Sequence, residues 1–127
     1  MGGPVTYSGG LLAESLADDA VLDGVPLTVT KVFRAAVGDT TAGQPRDWTF
    51  IEFSVPASLV DTFAESLSRA LRAQGGWYYD FHSDSEVIVV FHGRVFKYPK
   101  GDPTRRAEVE GYARSVGVPE AQLDWPE

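Results

Sequence analysis

The chain has no cysteine. A disulfide framework, a thiol nucleophile and a cysteine-built metal site are thereby excluded, and the absence fits a reducing compartment. No apolar run approaches the ~20 residues needed to cross a bilayer. The opening residues, MGGPVTYSGG, have neither the basic nor the apolar region of a secretion signal, so the expected location is cytoplasmic. Positive charge is also short, with 11 basic residues against 18 acidic ones and a formal charge of −7. That disfavours nucleic acid, whose binding needs a basic surface to release counterions, and it disfavours anionic membranes. No G-x-S-x-G elbow is present. The glycine pairs at 2–3, 9–10 and 75–76 lack phosphate-loop spacing.

What is present suits one globular domain of 127 residues, long enough to bury a core without staples. Residues 1–10, rich in glycine, read as a flexible lead-in, with residues 11–127 as a single α+β domain. Leu12, Leu16 and Ala20 recur every fourth residue, which predicts a short helix over Leu11–Leu22. Val25–Val37 alternates as a strand, except that Lys31 falls on the apolar parity and hints at an edge or a bulge. The segment 38–47 is a polar loop and the internal stretch expected to move most. Trp48–Val55 is a second strand.

Pro56–Gln74 carries the clearest helical period, Leu59, Phe63, Leu67 and Leu71, and Gly75 and Gly76 end it. The aromatic-rich stretch Trp77–Pro99 then reads as three strands joined by two tight turns. A last helix over Pro103–Val116 has Asp102 as its N-cap and Gly117 past its end, and the tail is expected to dock Leu123 and Trp125. The expected order is α-β-β-α-β-β-β-α, an about five-stranded, largely antiparallel sheet with helices packed on it.

Turn chemistry assigns faces to the aromatic stretch. With Ser83–Ser85 as a three-residue loop, His82 faces Glu86, Phe81 faces Val87 and Tyr79 faces Val89. With His92-Gly93 as a two-residue turn, Phe91 faces Arg94 and Val89 faces Phe96. Trp77, Tyr79, Phe81, Val87, Val89, Phe91 and Phe96 then share one face, expected to receive the long helix. The opposite face carries Tyr78, Asp80, His82, Glu86, Ile88 and Lys97, extended by Trp48 and Phe50. Its apolar part needs a cover, and the three covers considered are the N-terminal helix, a second subunit and a ligand.

The two histidines do not share an ion, because six residues at ~3.3 Å put His82 and His92 roughly 20 Å apart. Asp80, His82, Asp84 and Glu86 alternate and could gather an imidazole with carboxylates, but a polar hairpin end explains them as well. Lys97, Lys100, Arg105 and Arg106 cluster at the start of the last helix, where solvated ion pairs are the simpler reading. No catalytic residue, metal ligand or cofactor is assigned, and the reading leans away from an enzyme. The leading expectation is a small acidic protein-binding module of accessory, immunity, antitoxin or inhibitor type. Its partner would be another protein, with a basic one favoured by charge, or a second copy of the chain. The alternative is a small-molecule-binding domain or modest enzyme with a pocket near Trp48, Tyr78, His82 and Glu86.

Overall fold

Two adjacent glycines lie inside the sheet, in a strand where the sequence reading places a lead-in. The computed structural model describes residues 5–37, 44–74, 76–123 and 125. Within them the strands are β1 (Thr6–Leu12), β2 (Thr28–Ala36), β3 (Asp47–Pro56), β4 (Tyr79–His82), β5 (Glu86–Phe91) and β6 (Arg94–Pro99). Two helices, α1 (Ala57–Ala70) and α2 (Pro103–Ser115), follow β3 and β6, and Ala13–Ser15 and Glu120–Gln122 form single 3-10 turns. The sheet order is β2-β3-β1-β4-β5-β6, and every pairing is antiparallel. This is an α+β domain with six strands rather than about five, and the described part of the chain opens with three strands rather than with a helix.

Ser8, Gly9 and Gly10 are paired on both sides. Gly9 lies opposite Phe53 on one side and Phe81 on the other. A Cβ on Gly9 would stand 2.5 Å from the Asp80 carbonyl oxygen and 2.7 Å from a Phe81 ring carbon, so the close approach of β4 requires glycine there. Composition alone reads such a stretch as loose, but its tertiary neighbours make it a central strand.

The helix expected over Leu11–Leu22 does not form. Leu11 and Leu12 finish β1, and Leu16 bridges to Leu71 at the end of α1. Asp19 adopts a φ of 67°, a left-handed value that no α-helix continues through. The leucines still reach the core, by way of a strand and a bridge.

The strand expected over Val25–Val37 is present over Thr28–Ala36, with its irregularity. The β2–β3 register shifts between Val29 and Lys31, and β2 is the outer strand of the sheet. Residues 38–43 of the expected loop lie outside the described residues. The long helix forms with Pro56 as its N-cap, and α2 is capped by the Asp102 carboxylate, which accepts from the Arg105 N–H at 3.0 Å.

The second hairpin has the expected register, with Phe91 opposite Arg94 and Val89 opposite Phe96, and its turn glycine, Gly93, has a φ of 75°. The first hairpin is displaced by one residue: His82 pairs with Val87, Phe81 with Ile88 and Tyr79 with Val90. Ser83 causes the shift. Its N–H donates to the Glu86 carbonyl, and its hydroxyl accepts from the N–H groups of Ser85 and Glu86. Four residues are thereby drawn into the turn instead of three.

One residue of slip exchanges the faces on one side of a hairpin. The expected single aromatic face is therefore two. Trp77, Tyr79, Phe81, Ile88 and Val90 pack with Phe53, Phe63 and Leu67 beneath α1. Val87, Val89, Phe91, Phe96 and Tyr98 pack on the other side with Val109 and Ala113 of α2 and with Trp125 of the tail. The N-terminal helix considered as a cover for the second face does not form, and α2 and the tail lie over β5 and β6 there. The Trp125 indole N–H donates to the Tyr98 hydroxyl at 2.8 Å, fixing the tail. Among the described residues no helix is long and apolar enough to cross a membrane.

Candidate functional site

Alternation along each strand fixes what the second face carries beyond α2. The packed cluster under α2 contains no residue of β1, β2 or β3. In the ladder, Gly10 of β1 lies opposite Glu52 of β3 on one side and Asp80 of β4 on the other. Residues directly opposite one another share a face, so two carboxylates flank a position with no side chain. Two strand spacings of ~4.8 Å put their Cα atoms about 10 Å apart. The result is a trough across the sheet.

Two adjoining hollows make up this trough, and Gly10 and Asp80 line both. The first has a volume of about 390 Å³ and is walled by Trp48, Phe50, Trp77 and Tyr78, with Gln122 at its rim. The second, of about 360 Å³, is bordered by Ser8, Thr30, Glu52 and His82. The aromatic wall is held by ring packing. Trp48 tilts against Trp77 at 5.2 Å between ring centroids, and Phe50 stacks on Phe33 at 4.7 Å. The Trp48 indole donates to the Pro45 carbonyl at 2.8 Å, which orients the ring. On the far side the Tyr78 hydroxyl donates to the Gln122 carbonyl, and the Gln122 side chain donates to Gln44 at 3.1 Å. The tail thus forms a wall of the trough as well as a cover for β5 and β6.

Two donors or acceptors at the trough are unpaired. The Trp77 indole N–H and the His82 Nδ1 are buried without a hydrogen-bond partner among the described residues. Burial, and then the nearby charge of Lys100, lowers the His82 pKa below 6.5, so its imidazole is neutral at pH 7. No hydrogen bond joins His82 to a carboxylate among the described residues.

The structure brings together five of the eight site residues named from the sequence. Trp48, Phe50, Tyr78, Asp80 and His82 all line the trough. Glu86, Ile88 and Lys97 do not, because the slipped hairpin places them on the α1 side. Ile88 is fully buried there. Glu86 accepts a hydrogen bond from the Tyr7 hydroxyl at 2.5 Å, and Lys97 pairs with Asp61 at 3.4 Å and with Glu86 at 3.8 Å. The alternating set Asp80, His82, Asp84 and Glu86 therefore does not converge. Among the described residues no three of His, Asp and Glu are grouped as a metal ion would need.

In the basic cluster at the start of α2, Arg105 makes a solvated pair with Glu108 at 3.2 Å, whereas Arg106 pairs with Glu110 at 3.5 Å with both side chains largely buried. His92 donates from Nδ1 to the Leu71 carbonyl, 2.9 Å away, closing the end of α1. Sequence reasoning missed Gly10, Glu52 and Gln122. A glycine pair between Tyr7 and Leu11 was the available signal, since glycine inside a strand marks a close approach or an open space.

No protein-family model, curated protein or solved structure matches this chain.

Proposed function

We propose that this protein is a binding domain for a small organic molecule, received in the trough over Gly10. The observation that carries the reading is Gly10 itself. Its φ is not in the left-handed region, so the backbone does not require glycine. A Cβ there would come no nearer than 3.6 Å to any neighbour, so packing does not require it either. Glycine in a strand interior nevertheless weakens the strand. What the missing side chain does is hold the trough open between Glu52 and Asp80.

The volume of the aromatic hollow falls at the small end of the range for ligand sites, about 300–1,000 Å³. An aromatic wall with a few polar groups is the usual composition of such sites, and the buried Trp77 N–H gains a partner if the ligand brings an acceptor. The role is binding rather than turnover, since His82 is not joined to a carboxylate that could orient it as a base.

The test is a fragment screen by ligand-observed NMR on the wild type and on Gly10→Leu, with both shown to be folded by thermal melting. Fragments that bind the wild type should lose binding when the leucine fills the trough. Hits that bind both proteins equally would sink the proposal.

A second reading keeps the protein-binding expectation and moves it to β2. Val29 and Val32 on this outer strand are 54% and 60% exposed, so a strand of a partner could add alongside. Lys31 and Arg34 lie on β2 and no carboxylate does, which favours an acidic partner strand over the basic partner expected from net charge. The bulge and the cations also protect such an edge from pairing, and for that reason the trough is preferred. If Val32→Asp leaves the solution mass and every partner association unchanged, this second reading fails.

A further inference from the structure

We infer that the trough takes an uncharged aromatic molecule bearing a hydrogen-bond acceptor, a carbonyl oxygen or a ring nitrogen, to which the Trp77 indole N–H donates. The inference rests on the trough being a ligand site, as proposed above. Its own support is the place where hydrogen bonding is incomplete. Among the described residues two buried side-chain nitrogens have no partner, Trp77 Nε1 and His82 Nδ1. Trp77 lines the aromatic hollow and His82 the one beside it. The other two indoles are satisfied, Trp48 by the Pro45 carbonyl and Trp125 by the Tyr98 hydroxyl. Trp77 is 5% exposed, so water does not serve its N–H, and a buried donor left bare is costly.

The acceptor is uncharged because no lysine or arginine lines either hollow to pair with a carboxylate or a phosphate. The ring of the ligand answers to the walls. Trp48, Phe50 and Tyr78 border the same hollow as Trp77, and contact of ring with ring adds to what burial alone contributes. Trp77 also borders a smaller hollow of about 230 Å³, with Ala73, His92 and Val116. That volume lies below the range of ligand sites, about 300–1,000 Å³, and no second orphaned nitrogen lies there. The Trp77 N–H is closed to water in the free protein, so the bond forms with a small turn of the ring on binding, the kind of side-chain adjustment common at binding sites.

Three probes separate the parts of this inference: acetophenone has a ring and a neutral acceptor, ethylbenzene the ring alone, and benzoate the ring with an anionic acceptor. Each is titrated into nitrogen-15-labelled protein, following the amides of Gly10 and Phe50 and the three indole N–H signals. Acetophenone should move the Trp77 indole proton downfield and leave those of Trp48 and Trp125 in place, and benzoate should bind several-fold more weakly. Trp77→Phe keeps an aromatic wall without the N–H. It should weaken acetophenone about three- to tenfold more than ethylbenzene, with thermal melting to show that the variant is folded. The wild-type indole signal is a readout that needs no variant. If the Trp77 signal stays in place, or the variant weakens both probes alike, Trp77 is only a wall: the trough stands as a ligand site and the inference is overturned. Benzoate binding as tightly as acetophenone would overturn the selection for an uncharged acceptor. A Trp77 shift accompanied by the amides of Ala73 and Val116, and not by those of Gly10 and Phe50, would assign the donor to the smaller hollow and overturn the inference. If no probe shifts the trough amides or the Trp77 indole, the ligand-site reading fails and this inference fails with it.

Discussion

Gly10 lies directly opposite Asp80 across the β1–β4 pair, and its neighbour Gly9 lies opposite Phe81. The two glycines point to opposite faces of the sheet and answer to different constraints. Gly9→Ala forces a methyl to within 2.5 Å of backbone and should cost about 2–3 kcal/mol, the scale of an overpacked core. Gly10→Ala meets only ordinary contacts and should raise stability by about 0.5–1 kcal/mol. Denaturant midpoints of the two variants test the contrast. Equal destabilisation would mean that Gly10 is a packing glycine and not a spacer.

Ser83→Ala removes the hydroxyl that accepts from two N–H groups in the first turn. Ser83 is 7% exposed, so water replaces those bonds poorly. A loss of about 1–2 kcal/mol is expected. Hydrogen exchange should quicken at Ser85 and Glu86 in particular, and unchanged protection there would contradict the turn geometry.

Glu14 substitutes for a strand partner. β1 ends with Leu12 opposite Phe50, and beyond it the Glu14 carboxylate accepts from the Thr49 N–H at 2.5 Å and the Thr49 hydroxyl at 2.7 Å. Burial pushes its pKa up, but these hydrogen bonds outweigh burial and hold it below 4.5. A carboxylate with a lowered folded pKa stabilises the fold above its unfolded value and loses that contribution as pH falls through the folded one. Glu14→Ala should therefore cost about 2 kcal/mol at neutral pH, and its deficit should shrink as pH falls below 4.5. Urea titrations of both proteins on either side of that value measure this.

Tyr79 sets the alkaline limit. Its hydroxyl is buried with Ser15 and the Leu12 carbonyl, and burial pushes its pKa well above 10.0. The unfolded chain can lose this proton and the folded one holds it. Stability is thus intact below pH 10.0 and falls as pH rises past it, by at most about 1.4 kcal/mol per pH unit for one group. Tyr7, raised first by burial and then by Glu86, adds in the same direction. Tyr79→Phe should start about 1 kcal/mol less stable and show a shallower alkaline decline. Parallel declines would assign the effect to other groups.

Local chemistry made much of the fold legible. The leucine period of α1, the Asp102 cap and Gly93 in its turn act through neighbours close in sequence, and each element forms where they put it, except that α1 ends at Ala70 and not at Gln74, since Leu71 turns extended to bridge Leu16. The burial of Trp77, Tyr79, Phe81, Phe91 and Phe96 was also readable. Which side of the sheet each occupies was not, because one hydroxyl at Ser83 decides it. Strand β1 was hidden for a different reason. Glycine disfavours strands on its own, and the partners that override this, Phe53 and Phe81, lie tens of residues away in sequence. Gly10 disappeared from view with it, and so did the trough, although Trp48, Phe50, Tyr78, Asp80 and His82 were already in hand as its walls.

The position of β1 has a consequence in time. The β2–β3 hairpin and the β4–β5–β6 meander have no strand pairing with each other except through it. Thr6–Leu12 leaves the ribosome before either of its partner strands, and the slot it fills is complete only after Tyr79–His82 has emerged. Such long-range closure is slow, and a strand that waits unpaired is exposed to wrong partners. A segment with two glycines at its centre is a poor template for them. The residues that open the trough in the finished sheet would also keep this strand unattached until its proper neighbours arrive.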